Sequence, residues 1–289
     1  MKHLRYFLQA VSIYSLILLI KILGLNISRV FFSYIFIFLG KFFKSEEIIK
    51  KNLSFILPNL KENERKAMIN KMWSNYAKTF VEYFFLRKFK NDYQHIKIIG
   101  LEILEKIKNK KKPVIFVSGH FANFELMSME LVKNNIKLAI LYRPLNNYLI
   151  NPLMTSLRKK NVCENQIVKG IKGLKGAINY LDNNFSIALM IDQRLSEGKK
   201  IKLFNQNAYT TTLPAQLSIK FNCDIVPIYL NRKDNNEFVM EIKKPLDINI
   251  VSNDPEQKKI EITRKLNSII EEMIKKDPSQ WILTHNRWK

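Results

Sequence analysis

The sequence has 289 residues, of which 47% are hydrophobic, so it can bury a large apolar core and global disorder is excluded. It carries 48 lysine and arginine residues against 25 aspartate and glutamate residues, and the net charge of +23 favours a polyanionic partner. Lysines number 38 and arginines 10, whereas nucleic-acid recognition relies on arginine, so no nucleic-acid partner is expected. Two cysteines without metal-ligand spacing indicate a reducing compartment and no metal site.

The amino terminus contains two apolar runs. Tyr6 to Ile20 carry no charge, Lys21 interrupts, and Val30 to Leu39 form the second run. Each run is shorter than the roughly 18 residues of a clear membrane span, and no small-residue cleavage site follows. We therefore predict an uncleaved membrane anchor over residues 1–44. It is either a span from about Tyr6 to Leu25 or a helical hairpin in one leaflet, and a pair of buried core helices is the alternative.

A basic cluster follows the second apolar run, formed by Lys41, Lys44, Lys50 and Lys51. Lysines beside an anionic leaflet each contribute about 1 kcal/mol of binding near its surface. In membrane proteins, the segments on the cytoplasmic side carry an excess of lysine and arginine. We therefore expect residues 45–289 to lie on the cytoplasmic side.

The remainder of the chain begins with helical periodicity and continues with strands that alternate with helical segments. The helical pattern covers residues 45–94, and a last long helix is predicted over Pro255–Lys276. The predicted strands are Val114–Val117, Lys137–Leu141, Ser186–Ile191, Asp224–Leu230 and Phe238–Ile242. This alternation predicts an α/β fold with a largely parallel sheet flanked by helices, in one domain over residues 45–289.

Polar residues follow the predicted strands, at the edge where open α/β sheets bind their ligands. One histidine, one carboxylate and several guanidinium groups at this edge suit proton transfer on an anionic substrate. These residues are Ser118, Gly119 and His120, then Tyr142 and Arg143, then Asp192, Gln193 and Arg194, and finally Asn231 and Arg232.

The sharpest of these features is His120 with Glu125 five residues later. Five steps along an ideal helix rotate by about 140°, so the two side chains meet only if His120 precedes the helix and Glu125 lies in its first turns. Glu125 would then orient the imidazole as a general base, and Gly119 would allow the backbone to approach a ligand. The alternative is a capping histidine and a solvated glutamate.

The chain resembles the bacterial lipid A biosynthesis lauroyl/myristoyl acyltransferases, within the broader lysophospholipid acyltransferase group. The segment from Ser118 to Glu125 matches their His-x4-Asp/Glu signature. Further matches follow in order, namely Tyr142-Arg143-Pro144 with Asn146-Asn147, Asp192-Gln193, Ala208 with Thr210-Thr211-Thr212, and Trp281 with His285, Arg287 and Lys289. The family usually has glycine where this chain has Ala122, tryptophan where it has Phe124, and a Phe-Phe-Gly-like turn at residues 203–205.

The resemblance implies transfer of a fatty acyl group from acyl carrier protein to a hydroxyl of a Kdo-bearing lipid A precursor, at the cytoplasmic face of the bacterial inner membrane. His120 and Glu125 are the implied catalytic residues, and no metal or organic cofactor is needed. The implied substrate-binding residues are Gly119, Asn123, Arg143, Asn146, Asp192, Gln193 and Thr211. For Arg143 we expect a contact with phosphate or carboxylate, and for Asp192 a structural capping role is the alternative.

Two other functions remain compatible with the sequence. The same dyad would serve acyl transfer to another acceptor, such as a lysophospholipid, a glycolipid or an aminolipid. A non-catalytic basic protein that binds membranes or nucleic acid would carry His120 and Glu125 without using them.

Overall fold

The computed structural model describes residues 2–42, 45–248 and 254–289, apart from the side chains of residues 171 and 172. The helices of this part are α1 (Lys2–Gly40), α2 (Glu46–Ile56), α3 (Glu62–Tyr83), α4 (Leu86–Asn91), α5 (Leu101–Lys110), α6 (Glu125–Lys133), α7 (Asn151–Asn161), α8 (Ile171–Asp182), α9 (Leu213–Phe221), α10 (Pro255–Lys276) and a short 3-10 helix (Pro278–Gln280). The strands are β1 (Ile96–Ile99), β2 (Ile115–Ser118), β3 (Leu138–Tyr142), β4 (Gln166–Val168), β5 (Ser186–Met190), β6 (Lys199–Leu203), β7 (Gln206–Thr210), β8 (Ile225–Arg232) and β9 (Phe238–Ile242).

Seven strands form one sheet in the order β1-β9-β8-β2-β5-β3-β4. Neighbouring strands in it are parallel except for β8 and β9, which are antiparallel. Strands β6 and β7 pair as a separate antiparallel hairpin. The predicted α/β fold with a largely parallel sheet is confirmed.

The five predicted strands are all present as β2, β3, β5, β8 and β9, with ends within two residues of the prediction. Strands β1, β4, β6 and β7 were not predicted. Strands β1 and β4 are edge strands of four and three residues, too short for an apolar pattern to separate them from loops. Strands β6 and β7 lie outside the main sheet. Several of their residues are exposed, so their sequences contain no continuous apolar run.

Two of the helical predictions can be compared with the structure. The helical region over residues 45–94 is divided into α2, α3 and α4. Helix α10 begins and ends where it was predicted. Its start is fixed by Asp254, which accepts a hydrogen bond from the Glu256 N–H (2.9 Å), and by Pro255 in the first turn.

Helices cover both faces of the sheet and produce two apolar layers. Successive residues of β2 point in opposite directions, as a strand requires. Phe116 belongs to the layer that contains Leu126 of α6, whereas Ile115 and Val117 belong to the layer that contains Leu266 of α10. The ends of the central strands are therefore held rigidly from both sides.

Helix α1 is interrupted at Gly24, where φ is 72° and ψ is 174°. Its inward side chains, among them Ile20 and Phe32, are buried in the same layer as α6. Most of its other apolar side chains are exposed, so α1 is not a pair of buried core helices. In the part of the chain that the structure describes, α1 is the one helix long and apolar enough to cross a membrane.

The division between an anchor over residues 1–44 and a domain over residues 45–289 stays a prediction, because residues 43 and 44 lie outside the described ranges. Lys44 of the predicted basic cluster falls there. Lys41, Lys50 and Lys51 are exposed, and Lys50 forms an ion pair with Glu46 at 2.8 Å.

Replacing Gly24 with alanine is expected to lower the free energy of unfolding by roughly 1–3 kcal/mol, because the backbone region it occupies is open almost only to glycine. Nothing lies within 4 Å of the position of an added Cβ, so the loss would come from the backbone conformation and not from a clash. Denaturant unfolding in detergent measures it. Ser12→Ala, at an exposed position of the same helix, is the control and should stay within about 0.5 kcal/mol. Equal stability of both variants would contradict the prediction.

Candidate active site

The register between β2 and β5 brings His120 next to Asp192. The two strands are parallel neighbours, and Ser118 lies opposite Met190 at their carboxyl ends. His120 and Asp192 each follow two residues later, and His120 Nδ1 lies 2.8 Å from Asp192 Oδ1. The prediction that polar residues converge at this edge of the sheet is therefore met by a histidine–carboxylate pair.

The Asp192 carboxylate is buried and accepts hydrogen bonds from two residues, His120 and Trp281. Its Oδ2 accepts the backbone N–H of His120 and the indole N–H of Trp281, both at 2.8 Å. Burial by itself raises the pKa of Asp192, but the charge of His120 and these hydrogen bonds outweigh burial and lower it to about 2. Asp192 is therefore ionised at neutral pH and acts as an acceptor.

The tautomer of His120 follows from this partner. An ionised carboxylate only accepts, so Nδ1 carries a hydrogen, and in the neutral form of the ring Nε2 has the lone pair. Nε2 hydrogen-bonds to none of the described residues, and the side chain is 19% exposed. The Phe124 ring lies against the imidazole edge, with 4.7 Å between the ring centroids. The arrangement presents an oriented imidazole to the edge of the sheet, and an imidazole held in this way can act as a base.

The loop between β2 and α6 is tightly constrained. A Cβ on Gly119 would lie 2.7 Å from the Phe121 ring and 3.2 Å from Asp192 Cγ, so only glycine allows this approach. Ala122 has a φ of 45°; its N–H donates to the Gln280 carbonyl (2.9 Å) and its carbonyl accepts from the Thr79 hydroxyl (3.0 Å). The backbone groups of Ala122 therefore bind the loop to α3 and to the end of the chain, and Gly119 allows the close approach of the loop to Asp192.

Glu125 does not contact His120, which corrects the expected dyad. Its Oε1 accepts hydrogen bonds from the Tyr83 hydroxyl (2.6 Å) and from Nε and Nη2 of Arg158 (both 2.7 Å). The orienting contact that the sequence assigned to Glu125 is made by Asp192. Glu125 lies at the start of α6, where its side chain turns toward α3 and α7 rather than back to the loop.

Asn123 lies in a buried ionic cluster rather than on an open surface. Its side chain is fully buried, and its amide donates to Glu82 at 3.1 Å. Glu82 also accepts from Arg29 of α1 at 2.8 Å and pairs with Arg232 at the end of β8. Arg232 in turn donates to Asn75 of α3 at 3.2 Å. The cluster fastens the His120 loop to α1, α3 and β8.

The other predicted substrate-binding residues lie on the segments that follow β3, β5 and β7. Arg143 and Asn146 are exposed after β3, and Gln193 is half-buried after Asp192. Thr211 is half-buried, and its hydroxyl accepts the N–H of Leu213 at 3.3 Å, at the start of α9. Among these residues, Arg143 offers the exposed guanidinium that an anion requires.

Lys169 adds a second cation to this side of the site. Its backbone N–H donates to the carbonyl of Tyr142 at 2.8 Å, which joins the end of β4 to the end of β3. Partial burial and the charge of Arg143 lower the pKa of Lys169. The neighbouring positive charges would attract an anionic group to the edge of the sheet.

The carboxyl-terminal tail contacts the segment after Asp192 and the β6–β7 hairpin. His285 Nε2 accepts the N–H of Arg194 at 2.9 Å, and burial lowers its pKa, so this imidazole is neutral at pH 7. Arg287 is fully buried and donates to the carbonyl of Tyr209 (2.8 Å) and the hydroxyl of Thr210 (2.7 Å). The tail therefore joins the segment after β5 to the β6–β7 hairpin.

Sequence reasoning missed the contact of Trp281 with Asp192 and the whole of the Glu82 cluster. Trp281 lies 89 residues from Asp192, and no local pattern relates them. A glutamate within the apolar periodicity of α3 was the available signal for the cluster. Within the described ranges, no group of three or more histidine, cysteine, aspartate or glutamate side chains is arranged to hold a metal ion.

Comparison with known proteins agrees with the motifs. The family model described as bacterial lipid A biosynthesis acyltransferase matches residues 1–289. The chain belongs to this family. A Haemophilus influenzae protein named lipid A biosynthesis acyltransferase is 25% identical over 84% of this chain and 76% of its own length. The Escherichia coli K12 lipid A biosynthesis lauroyltransferase is 24% identical over 84% of this chain and 78% of its own length.

A Shigella flexneri relative, named lipid A biosynthesis acyltransferase 2, is 24% identical over 80% of this chain and 73% of its own length. The resemblance seen in the motifs is therefore confirmed across the whole chain, and the protein is an acyltransferase.

Replacing Asp192 with asparagine is expected to destabilise the protein in a pH-dependent way. The lowered pKa, about 2 against an ordinary 3.8, corresponds to about 2 kcal/mol of stability. That contribution is complete above about pH 5, and roughly half of it is lost by pH 3 as the carboxylate protonates. The difference in unfolding free energy between wild type and Asp192→Asn should therefore shrink between pH 7 and pH 3. A difference that grows toward pH 3 would contradict it.

Proposed function

We propose that this acyltransferase moves a fatty acyl group from acyl carrier protein to a hydroxyl of a Kdo-containing lipid A precursor. The observation that carries the proposal is the oriented His120 beside ionised Asp192 at the carboxyl edge of the sheet. The names of the relatives support the lipid A pathway. The net charge of +23 suits an acidic carrier protein and a phosphorylated lipid.

In the proposed reaction, His120 Nε2 accepts the proton of the acceptor hydroxyl as its oxygen attacks the thioester carbonyl carbon. The carbon–sulfur bond then breaks, and the imidazolium returns the proton to the departing carrier thiolate. Asp192 contacts no substrate; it holds the imidazole by Nδ1 and stabilises the imidazolium, as the carboxylate of a catalytic triad does. Positioned proton transfer of this kind contributes about 10²- to 10⁴-fold to the rate.

Glu125 enters the proposal as a positioning residue. Its bonds to Tyr83 and Arg158 hold α6 against α3 and α7, and α6 follows the His120 loop directly. Arg158 is largely buried, and Glu125 is its ion-pair partner among the described residues. Without Glu125 the guanidinium of Arg158 would be a buried charge without a counter-ion, which is costly. Glu125 therefore supports the loop without touching the imidazole.

Arg143 and Lys169 are proposed to receive a phosphate or carboxylate of the substrate. Both lie at the carboxyl edge of the sheet, and Arg143 offers the fork geometry that binds such groups bidentately. Gly119, Asn146 and Gln193 follow strands of the same sheet, whereas Thr211 follows β7 of the separate hairpin. Asn123 and Asp192 are too deeply buried to reach a substrate, and we assign them to holding the loop.

We further propose that the protein works at the cytoplasmic face of the bacterial inner membrane. The apolar and largely exposed α1 and the exposed lysines that follow it support this location. Acyl transfer to another lipid hydroxyl, such as that of a lysophospholipid, a glycolipid or an aminolipid, uses the same site. The assay below separates these acceptors.

His120→Ala is expected to lower kcat by at least about 10²-fold, because the base that accepts the hydroxyl proton is lost. The measurement is acyl transfer from a panel of acyl carrier protein thioesters to Kdo2-lipid IVA, with a lysophospholipid as the competing acceptor. Glu105→Ala, at an exposed position of α5 outside the site, is the control and should keep wild-type turnover. Ordinary turnover by folded His120→Ala would refute the assignment of the base.

Asp192→Asn and Glu125→Gln separate the two carboxylates. Asp192→Asn removes the acceptor that fixes the imidazole tautomer, so kcat should fall by about 10²-fold or more. Glu125→Gln removes a charge that does not reach His120, so its main effect should be lower thermal stability with a smaller loss of kcat. Each variant is assayed across pH 6–9 with folding checked. An equal loss of kcat in stable Glu125→Gln would return the orienting role to Glu125.

A further inference from the structure

The first half of α1 lies against the loop that follows β3. His3 Nδ1 is 3.2 Å from the Tyr148 hydroxyl, and the carbonyl of Tyr6 accepts the amide of Asn147 at 2.9 Å. Farther along, the Tyr14 hydroxyl donates to the carbonyl of Leu149 at 3.2 Å. The amino-terminal end of α1 is therefore bound to the catalytic domain through residues 147–149, which follow β3.

The middle and second half of α1 are fastened to α3 and the residues after it. Lys21 donates to the carbonyl of Phe84, and Arg29 pairs with buried Glu82 at 2.8 Å. The Ser74 hydroxyl donates to Ser33 at 3.0 Å. A Cβ on Gly40 would lie 2.3 Å from the Trp73 ring, so the end of α1 touches α3 as well. Contacts with the domain thus extend over the whole helix.

This distribution of contacts is incompatible with a membrane span. A helix needs about 20 consecutive residues to cross the hydrocarbon core, and those residues must leave the aqueous domain. In α1, residues that bind the domain occur from His3 to Gly40, and Leu16, Ile17 and Ile20 in the middle pack into its core. No stretch of 20 residues is free to leave. Lys21 likewise binds the domain and does not reach toward a far interface.

Exposed apolar side chains lie along α1 on both sides of the break at Gly24, and we call them the apolar stripe. Its members are each at least 44% exposed and include Leu4, Phe7, Leu8, Val11, Leu18, Ile22, Ile27, Val30, Phe31, Tyr34 and Phe38. The stripe begins near Lys2 and Arg5 and ends near Lys41, all of them exposed. Apolar residues flanked by cations match an anionic lipid leaflet, with acyl chains for the stripe and headgroups for the lysines.

We infer that α1 is an in-plane anchor, which lies in one leaflet with its apolar stripe toward the acyl chains and its other face on the catalytic domain. The inference rests on the proposed function only in that the domain works at a membrane. The loop after β3 then lies at the membrane surface, so an acceptor lipid reaches His120 from within that leaflet. Both ends of α1 stay on the side of the membrane that holds the catalytic domain.

Thiol labelling tests the topology without measuring acyl transfer. The two native cysteines are buried, so a membrane-impermeant maleimide reports on an introduced cysteine. Lys2→Cys marks the start of α1 and Leu174→Cys marks the domain. In spheroplasts and in inverted inner-membrane vesicles, the two variants should be labelled from the same side. Labelling of Lys2→Cys only from the side opposite to Leu174→Cys would overturn the in-plane anchor in favour of a span.

Vesicle binding tests the stripe itself. The wild type should float with phosphatidylglycerol/phosphatidylethanolamine vesicles. The double substitution Leu18→Glu with Ile22→Glu should lower the partition coefficient at least about tenfold, because two apolar side chains are replaced by charged ones. Leu174→Glu, an equally polar change at an exposed position of α8, is the matched control and should float normally. Normal flotation of the double variant overturns the inference. So does a wild type that fails to float because a second copy covers the stripe, seen as a stable dimer without lipid.

Both experiments are independent of the acceptor and of the base. A protein that transfers no acyl group to Kdo2-lipid IVA but is labelled and floats as described would refute the proposed acceptor and keep the anchor. A protein that transfers acyl groups but exposes Lys2→Cys on the far side would keep the proposed function and refute the anchor.

Discussion

The parallel pairing of β2 with β5 is the constraint on which the site depends. Because Ser118 lies opposite Met190, continuing the register by two residues places His120 opposite Asp192. The two strands are central and buried on both faces, so packing fixes this register strongly. The histidine and its carboxylate therefore come from segments 72 residues apart and still meet at 2.8 Å. Two side chains that follow rigid paired strands are held more accurately relative to each other than two side chains within a single loop.

Two buried carboxylates organise the surroundings of that pair. Asp192 accepts from His120 and from Trp281, so the end of the chain is drawn under the site. Glu82 is shared by Arg29 and Arg232 and accepts from Asn123, so α1, α3, β8 and the catalytic loop meet at one point. Removing one partner of such a buried pair is costly, because an uncompensated charge remains. The same contacts that shape the loop therefore also hold α1 in place.

Two of the departures from the family pattern, at Ala122 and at the turn of residues 203–205, fall where the backbone is unusual. Ala122 adopts a left-handed conformation at the position where the family usually has glycine, and both of its backbone groups are hydrogen-bonded. Phe204 and Asn205, in the turn where the family has a glycine, also have positive φ values of 51° and 57°. These bonds and the packing around the turn offset the steric cost that glycine would avoid.

The sequence by itself determined the fold class, the five central strands, the last helix, the family and the histidine. Each of these follows from a pattern of residues that are close in the sequence: apolar periodicity, a capping aspartate before a proline, or a motif of eight consecutive residues. Only the tertiary structure decided which carboxylate holds the imidazole, because strand pairing brings together residues that no spacing relates, while five residues of loop and helix turn Glu125 toward Arg158. It also decided the path of α1, since hydropathy measures how apolar a helix is but not which of its faces the protein covers.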